Sequence, residues 1–465
     1  MKYYLAVDIG ASGGRHMIGS AYGGKMTVRE IYRFHNGMTR REGHLCWDTK
    51  YLFSEIIEGM KRCFQAGYVP ESMGIDTWAV DFVLLDGKRQ RLGPAVGYRD
   101  QRTNGMTAHV YKKISEEALY ERTGIQKQVF NTIYQLTALK RQQPGLLESA
   151  KTLLMLPDYF HFLLTGKMGT EYTNGTTTQL INAHTGVWDT ELIKLLGFPT
   201  KIFQNIYRPG TVLGPLSEHI RREVGFNCKV VLPPTHDTAS AVAAVPFKQN
   251  TGLYISSGTW SLMGTEIDAP ICTESARRKN LTNEGGYDGK FRLLKNIMGL
   301  WMIQSVRHEF ADRYSFGELC DMAKQYEDFP SRVDVNDNSF LAPDSMVTAI
   351  RQMCARTGQP VPEGVGQLAS VVYHSLADSY GAAAGEIEDV SGQKYDTIHI
   401  IGGGANADYL NRLTAKACHR TVIAGPSEAT AIGNLAVQMI SDSVFENIQE
   451  ARACIGRSFP VKIFE

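Results

Sequence analysis

Three residues that could act together on a hydroxyl group stand at His236-Asp237-Thr238, after a short apolar segment closed by two prolines. The apolar residues 229–232 predict a strand, and the small residues 237–245 predict a helix. An aspartate at the start of a helix can simply cap its N-terminus. It also stays ionised there, so it can accept the proton of a hydroxyl that attacks a phosphate. The pattern indicates phosphoryl transfer with Asp237 as general base, and a plain helix cap is the alternative.

A glycine-rich turn follows the first apolar segment of the chain, at residues 10–14. Glycines let backbone N–H groups approach an anion closely, and a turn between two strands directs several of them at one point. Arg15 adds a guanidinium suited to phosphate, and Asp8 could hold a magnesium ion through water. The turn favours a phosphate cradle, and an ordinary glycine hairpin with a surface arginine is the alternative.

Two further glycine clusters occur in the second half of the chain. Gly258-Thr259 lies between two predicted strands, and three glycines at residues 402–404 follow a predicted strand and precede a helix. A helix N-terminus after a strand suits the phosphates or adenosine of a nucleotide. Three such clusters in one chain indicate a nucleotide site more strongly than any one of them.

The two halves of the chain open with the same plan. Residues 7–19 and residues 253–264 both read as strand, glycine turn and strand. This repetition predicts a duplicated domain with a boundary near residue 246, which gives an N-terminal domain at 1–245 and a C-terminal domain at 246–465. The polar residues 246–252 are a candidate hinge.

Two other motifs bear on the interpretation of the glycine-rich turn. The chain has no Gly-x-x-x-x-Gly-Lys-Ser/Thr sequence, so it is not a P-loop protein. Residues 10–14 do match Gly-x-Ser-x-Gly, the nucleophile elbow of serine hydrolases. An elbow requires a helix after the serine, whereas residues 16–22 read as a strand. The hydrolase interpretation is therefore disfavoured.

The composition excludes several classes of function. The 465 residues include 49 Lys and Arg against 48 Asp and Glu, and a net charge of +1 gives no bulk attraction to nucleic acid or anionic lipid. No apolar window of about 18 residues predicts a membrane span, and the first residues do not read as a signal peptide. The 8 cysteines are scattered singly, which favours reduced thiols in the cytoplasm over a disulfide framework or a zinc site.

The elements that must position these residues alternate between strands and helices. Residues 2–9 and 16–22 predict a hairpin, residues 51–66 a helix, and residues 73–76 another strand. Residues 108–150 show helical periodicity interrupted by Pro144-Gly145, and residues 150–165 predict a buried helix that ends at Gly166. This alternation predicts the α/β class.

The chain resembles the FGGY carbohydrate kinases over nearly its whole length, and within them the branch that phosphorylates L-rhamnulose. The Thr-Trp, His-Asp-Thr and Lys-Asn-Ile-Met-Gly-Leu-Trp segments point to that branch. The motifs that carry the resemblance lie at residues 8–15, 75–86, 97–105, 156–160, 171–179, 236–242, 256–262, 283–286, 295–301, 402–406 and 424–429.

The resemblance implies two ribonuclease-H-like domains of the actin-like ATPase superfamily around a central cleft, with ATP and Mg²⁺ as cofactors. It implies transfer of the γ-phosphate to the 1-hydroxyl of L-rhamnulose in rhamnose catabolism, with Asp237 as base. The residues that it assigns to ATP are Ala11, Ser12, Gly13, Gly14, Arg15, Thr259, Gln304 and Gly402. Those that it assigns to the sugar are Ala79, His236, Asp237, Thr238 and Asn296, and Asp8 is the candidate metal residue.

One residue departs from the family pattern. Ala79 stands where the Thr-Trp motif of the family is usually followed by glycine. A methyl group beside the sugar could narrow the pocket, so a related ketose such as L-fuculose or L-xylulose is the alternative substrate. A non-metabolic actin-like ATPase is a further alternative. It has no need of a base placed like Asp237, and the chain has no residues left for an appended substrate domain.

Overall fold

The computed structural model describes residues 1–247, 252–341 and 343–465. Most of the candidate hinge, at residues 248–251, lies outside the described residues. The strands are β1 (Tyr4–Ile9), β2 (Gly13–Tyr22), β3 (Lys25–His35), β4 (Met38–Arg41), β5 (His44–Trp47), β6 (Ser72–Thr77), β7 (Phe82–Leu85), β8 (Arg91–Leu92), β9 (Ala95–Val96), β10 (Thr152–Met155), β11 (Thr170–Glu171), β12 (Ile206–Tyr207), β13 (Val212–Pro215), β14 (Lys229–Val231), β15 (Leu253–Ser257), β16 (Trp260–Ile267), β17 (Thr282–Gly285), β18 (Phe291–Met298), β19 (Thr397–Ile401), β20 (Thr421–Ala424) and β21 (Lys462–Phe464).

The helices alternate with these strands, as the α/β class requires. They are α1 (Thr49–Gln65), α2 (Met106–Tyr111), α3 (Glu116–Thr123), α4 (Thr132–Gln142), α5 (Pro144–Ser149), α6 (Leu156–Thr165), α7 (Tyr172–Thr176), α8 (Thr190–Leu196), α9 (Glu218–Val224), α10 (Asp237–Ala243), α11 (Glu274–Arg278), α12 (Trp301–Glu309), α13 (Phe316–Lys324), α14 (Met346–Arg356), α15 (Val365–Ser391), α16 (Asp408–Cys418), α17 (Ala429–Ser441) and α18 (Ile448–Ser458). None of the described helices is long and apolar enough to cross a lipid bilayer.

The chain divides into two compact units. Unit 1 contains Met1–Pro246 together with Ile267–Leu293 and Thr430–Ser458. Unit 2 contains Phe247–Glu266, Leu294–Ala429 and Phe459–Glu465. Two segments from the second half of the sequence therefore fold with the first half.

The central sheet of unit 1 is six-stranded with the order β13-β14-β6-β1-β2-β3. β1 pairs antiparallel with β2 and parallel with β6, and β6 pairs parallel with β14. A buried apolar core lies against this sheet, including Val7 and Ile75 of its strands and Leu52 and Ile56 of α1. The carboxyl ends of β1, β6 and β14 consequently lie at one edge of the sheet, where ligand-binding residues of α/β proteins collect.

A seven-stranded sheet has the order β17-β18-β16-β15-β19-β20-β21. β15 pairs antiparallel with β16 and parallel with β19, and β19 pairs parallel with β20. These relations repeat those of β1 with β2 and β6 in unit 1. The predicted hairpins at residues 7–19 and 253–264 are therefore both confirmed.

One predicted element is wrong in its first part. Residues 150–165 contain a strand, β10, before the helix α6, which ends at Gly166 as predicted. β10 is buried throughout and pairs antiparallel with β7. A short apolar run that is buried on all sides has no periodicity to distinguish strand from helix. Pro157, which suits the first turn of a helix, marks the true start.

All eight cysteines are free thiols. Six of them are buried, and Cys272 and Cys320 are half-buried. Burial raises the pKa of the Cys63 thiol to about 12 and that of Cys272 to about 11, so both are protonated near neutral pH.

Candidate active site

The turn between β1 and β2 holds the first predicted phosphate cradle. The Gly10 N–H donates to the Gly13 carbonyl at 2.8 Å, and the Asn36 N–H donates to the Ser12 carbonyl at 3.1 Å. A Cβ atom at Gly14 would lie 2.1 Å from the ring of Phe34, so this glycine is required by packing against β3. Ser12 is exposed, while Ala11, Gly13 and Arg15 are half-buried. The turn is therefore exposed at its tip, and the need for glycine at position 14 is structural.

The serine-hydrolase interpretation fails on this geometry. Ser12 is followed directly by the strand β2, which begins at Gly13. A nucleophile elbow requires a helix there, because the helix N-terminus supplies part of the oxyanion site.

Asp8 and Arg15 face each other across the same hairpin. They are paired in the β1–β2 register, and Arg15 Nη2 donates to Asp8 Oδ2 at 2.7 Å. Asp76 lies beside Asp8 in the parallel register of β1 with β6. The cradle thus combines one guanidinium with two carboxylates at adjacent strand ends.

Asp76 is a site residue that the sequence analysis missed. It is fully buried, and burial raises its pKa well above the ordinary range, with a further rise from the charge of Asp8. Asn434 of α17 donates to Asp76 Oδ2 at 2.6 Å and lowers that pKa. A lone carboxylate inside a predicted strand was the available sequence signal, because buried charges require a partner.

Asp237 is the first residue of α10 and is not the helix cap. His236 occupies the cap position, and the Asp237 carboxylate accepts the N–H of its neighbour Thr238 at 2.5 Å. Its side chain keeps 31% of its surface exposed. Burial raises the pKa of Asp237 and so does the charge of Asp8, while His236 lowers it. The plain-cap alternative is therefore wrong, and Asp237 is a partly accessible carboxylate beside Asp8.

His236 is held from the side opposite Asp237 by two buried charged residues. Arg292 Nη2 lies 3.1 Å from His236 Nδ1 and donates to Glu284 Oε2 at 2.9 Å. His236 Nε2 lies 3.5 Å from Asp237 Oδ1. His236 Nδ1 also lies 3.2 Å from Glu284 Oε2, so this ring nitrogen faces both a guanidinium and a carboxylate.

The electrostatic balance of this cluster favours an ionised Glu284. Burial alone raises the pKa of Glu284, but Arg292 and His236 lower it below its ordinary range. Arg292 is fully buried and also donates through Nε to the Gly285 carbonyl at 3.0 Å. Glu284 and Arg292 were not predicted as site residues, although Glu284 belongs to a motif that carried the family resemblance.

Ala79 lies in a tightly bonded loop between β6 and β7. Its carbonyl accepts the Asp81 N–H at 2.8 Å, and the next residue, Val80, has a left-handed backbone with φ of 65°. Asp81 Oδ2 accepts the indole N–H groups of Trp47 and Trp78 at 2.7 and 2.9 Å. The two tryptophan rings are in contact, with centroids 4.1 Å apart and their planes tilted by 38°.

The same loop is joined to the segment that carries His236. The Thr77 N–H donates to the Thr235 carbonyl at 2.9 Å, and Thr77 and His236 form a parallel bridge. Unit 1 therefore brings together the turn at residues 10–15, Asp8, the loop of Ala79 and residues 236–238.

Three of the remaining predicted residues, Thr259, Gln304 and Gly402, lie within unit 2. The Gly258 and Thr259 carbonyls accept the N–H groups of Leu300 and Trp301 at 3.0 and 3.2 Å, so α12, which bears Gln304, begins at this turn. A Cβ atom at Gly402 would lie 3.0 Å from the carbonyl oxygen of Ser257.

Close packing therefore explains a glycine at position 402, whose φ is 80°. The glycine cluster lies against the end of β15, directly before the turn of Gly258 and Thr259.

Asn296 lies on β18. It is half-buried, and its Oδ1 atom is buried without a hydrogen-bond partner among the described residues. A buried amide oxygen without a partner is costly unless a ligand or water satisfies it.

Solved structures define the class of fold. A xylulose kinase from Lactobacillus acidophilus superposes with a TM-score of 0.81 at 16% identity, covering 100% of this chain and 94% of that one. A glycerol kinase from Plasmodium falciparum with ADP superposes with a TM-score of 0.77 at 12% identity, covering 100% and 94%. The chain has the α/β fold of the two-domain, actin-like sugar kinases, which confirms the predicted fold class.

Sequence comparison then gives the family. Residues 3–244 match the N-terminal domain of the FGGY family of carbohydrate kinases, and residues 253–441 match its C-terminal domain. The chain belongs to the FGGY family of carbohydrate kinases and is an ATP-dependent sugar kinase. A rhamnulokinase from Halalkalibacterium halodurans is 52% identical over 99% of this chain and 98% of its own length. A rhamnulokinase from Bacillus subtilis is 44% identical over 99% and 95%.

Proposed function

We propose that this chain transfers the γ-phosphoryl group of ATP to the 1-hydroxyl of L-rhamnulose, forming L-rhamnulose 1-phosphate and ADP in rhamnose catabolism. Relatives named rhamnulokinase are 41–52% identical over nearly the full chain, which supports the choice of sugar. The observation that carries the reaction is the position of Asp237, partly exposed at the start of α10 and next to His236.

Asp237 acts as the general base. As the sugar oxygen forms its bond to the γ-phosphorus, the bond from phosphorus to the β,γ-bridging oxygen breaks and ADP leaves. The hydroxyl proton passes to the Asp237 carboxylate, which is acceptor-only when ionised. The helix N-terminus favours that ionised form, while burial and Asp8 bring its pKa closer to neutrality.

The sugar is bound by Ala79, His236, Asp237 and Thr238, with Asn296 as a further polar contact. His236 presents Nε2 on the side of Asp237, because Arg292 and Glu284 both lie against its Nδ1. The Ala79 methyl group limits the space for the sugar beside this loop, in which the Ala79 carbonyl accepts the Asp81 N–H.

ATP is bound by Ala11, Ser12, Gly13, Gly14 and Arg15 of the first hairpin and by Thr259, Gln304 and Gly402 of unit 2. Exposed backbone at the turn and the Arg15 guanidinium suit the phosphates. In this assignment residues 1–245 contain the phosphate hairpin and most of the sugar site, and residues 246–465 contain the other nucleotide-binding residues, although residues 267–293 and 430–458 fold with the first half.

The residues at the end of β1 fit a magnesium ion. Mg²⁺ in nucleotide sites is held by one or two carboxylates together with substrate phosphates and water, so a cage of three protein ligands is not required. The described residues contain no such cage, and Asp8 next to the phosphate turn is the residue that would hold the ion, directly or through water. The ion supplies neutralisation of the phosphate charge that develops during transfer.

The function is tested by ADP release in the presence of a panel of ketoses. We expect ADP release to depend strongly on L-rhamnulose, with L-fuculose and L-xylulose giving at least tenfold lower kcat/KM. Equal ADP release with and without any sugar would overturn the proposal. A preference for L-fuculose or L-xylulose would keep the kinase and replace its substrate.

A further inference from the structure

A buried polar turn next to the candidate site has no role in the proposed reaction. It comprises residues 171–174, where Glu171 caps the short helix α7. Glu171, Thr173 and Asn174 are each 0% exposed. Buried polar groups are retained at a cost, so their bonding partners indicate what they do.

The Glu171 carboxylate is the centre of this turn. Its Oε1 accepts the Thr173 N–H at 2.9 Å, and its Oε2 accepts the Thr173 hydroxyl at 2.6 Å. Oε2 also accepts the N–H and the hydroxyl of Thr235, at 2.9 and 2.7 Å. One side chain therefore ties α7 to the residue directly before His236.

The same turn holds both backbone segments of the proposed sugar site. The Thr173 hydroxyl accepts the His236 N–H at 3.3 Å. Asn174 Nδ2 lies 3.4 Å from the carbonyls of both Trp78 and Thr235, which precede Ala79 and His236 in sequence.

We propose that Glu171 is a positioning residue for the acceptor site, fixing the backbone of Thr235 and His236 so that the Asp237 carboxylate stands where the sugar hydroxyl arrives. This inference rests on the proposed function, because it gives Glu171 a purpose only if Asp237 is the base. Small displacements of a base have large kinetic effects, since proton transfer requires hydrogen-bond distance in the transition state.

The chemistry of the turn requires a carboxylate rather than an amide. Two hydroxyls and three backbone N–H groups donate to Glu171. An ionised carboxylate accepts at both oxygens, whereas glutamine of the same shape replaces one oxygen with an N–H₂ group that faces donors.

The first experiment compares Glu171→Gln with Asp158→Asn. Asp158 is a matched control, because it is also buried and accepts the Glu171 N–H at 3.1 Å, yet it has no hydrogen bond to residues 235–238 among those described. We expect Glu171→Gln to lower kcat with L-rhamnulose at least tenfold and to leave the KM for ATP within twofold. Asp158→Asn keeps at least half of the wild-type kcat. Thermal unfolding of each variant separates misfolding from misplacement.

A second pair of variants tests the same link from its other end. Thr235→Val removes the hydroxyl that Glu171 accepts, and Thr235→Ser retains it. We expect Thr235→Val to lower kcat, and we expect Thr235→Ser to keep at least half of the wild-type kcat. This pair tests the positioning role even if Glu171→Gln does not fold. The double variant Glu171→Gln/Thr235→Val should lose less than the product of the single losses, because both changes affect the same hydrogen bond between the Thr235 hydroxyl and Glu171.

The outcomes separate this inference from the proposed function. If the wild-type protein releases no sugar-dependent ADP, the proposed function fails and this inference fails with it. If the wild-type protein is active and both Glu171→Gln and Thr235→Val match their controls, only the positioning role is overturned. A loss of ATP affinity equal to the loss of kcat would also overturn it, because a general structural defect affects both substrates.

Discussion

At the scale of single residues, the three carboxylates of the candidate site differ in their bonding partners and in their exposure. Asp8 pairs with Arg15, Asp76 is buried and bonded to Asn434, and Asp237 alone among the three keeps a large exposed fraction. Burial raises the pKa of both Asp76 and Asp237, but only Asp237 has access for a substrate proton. This difference supports the proposal that Asp237 is the base.

Replacement of the base tests that assignment directly. We expect Asp237→Asn to lower kcat by about 10²- to 10⁴-fold, which is the usual contribution of a general base. ATP affinity, measured by calorimetry, should remain within threefold because the residues assigned to ATP lie elsewhere in the sequence. A variant with near-normal kcat would show that Asp237 has no catalytic role.

The acid side of the pH profile follows from the raised pKa of Asp237. The base must be deprotonated, so kcat/KM for the sugar is full at high pH and falls as the pH decreases through the pKa of Asp237. Because burial and Asp8 raise this pKa, the loss should begin above the ordinary aspartate value of about 3.9. Initial rates with saturating MgATP give the profile, and thermal unfolding at each pH controls for acid denaturation. An acid limb at or below the ordinary value would contradict the expectation.

At the scale of elements, the seven-residue helix α10 is fixed by contacts with α17 and α18. Arg452 of α18 donates to the carbonyls of Val242 and Ala243 at 3.0 and 3.2 Å, which satisfies the C-terminal end of α10. At Gly433, α17 approaches α10 so closely that a Cβ atom would lie 1.8 Å from the Ser240 carbonyl oxygen. The helix that begins with Asp237 is thereby held along its length.

The close approach of α17 and α10 yields a prediction about Gly433. We expect Gly433→Ala to cost about 1–3 kcal/mol of unfolding free energy, because the backbone of α10 must move. The shift should also lower kcat for the sugar. Gly385→Ala in α15 is the control, since a Cβ atom there meets nothing within 4 Å and alanine favours a helix. Denaturant unfolding measures both, and equal stability of the two variants would contradict the close-packing argument.

At the scale of the whole molecule, the two compact units do not correspond to the two halves of the sequence, because two segments of the second half fold with the first. Residues 267–293 bring Glu284 and Arg292 to His236, and residues 430–458 bring Asn434 to Asp76 and Arg452 to α10. A near-neutral protein with a net charge of +1 still assembles a dense local set of charges at one sheet edge. Local charges suit a reaction between an anionic nucleotide and a neutral sugar.

The sequence alone was sufficient for the class, the family and the local elements of the site. Alternating elements, glycine turns and the His236-Asp237-Thr238 motif are local signals, because a turn or a helix start depends on neighbouring residues. The same reasoning failed at residues 152–155, where burial on all sides removes any periodicity.

Only the tertiary structure shows which residues from distant parts of the sequence lie around the segment of His236 and Asp237. The buried residues Asp76, Glu171, Glu284 and Arg292 lie far from Asp237 in sequence, at separations that no local pattern encodes. Their buried side chains also look like core positions until the donors and acceptors around them are known, since a buried charge is tolerated only through its partners. The sequence therefore determined the family and its reaction. The buried contacts around the proposed base depend on folding, because they join residues from distant parts of the chain.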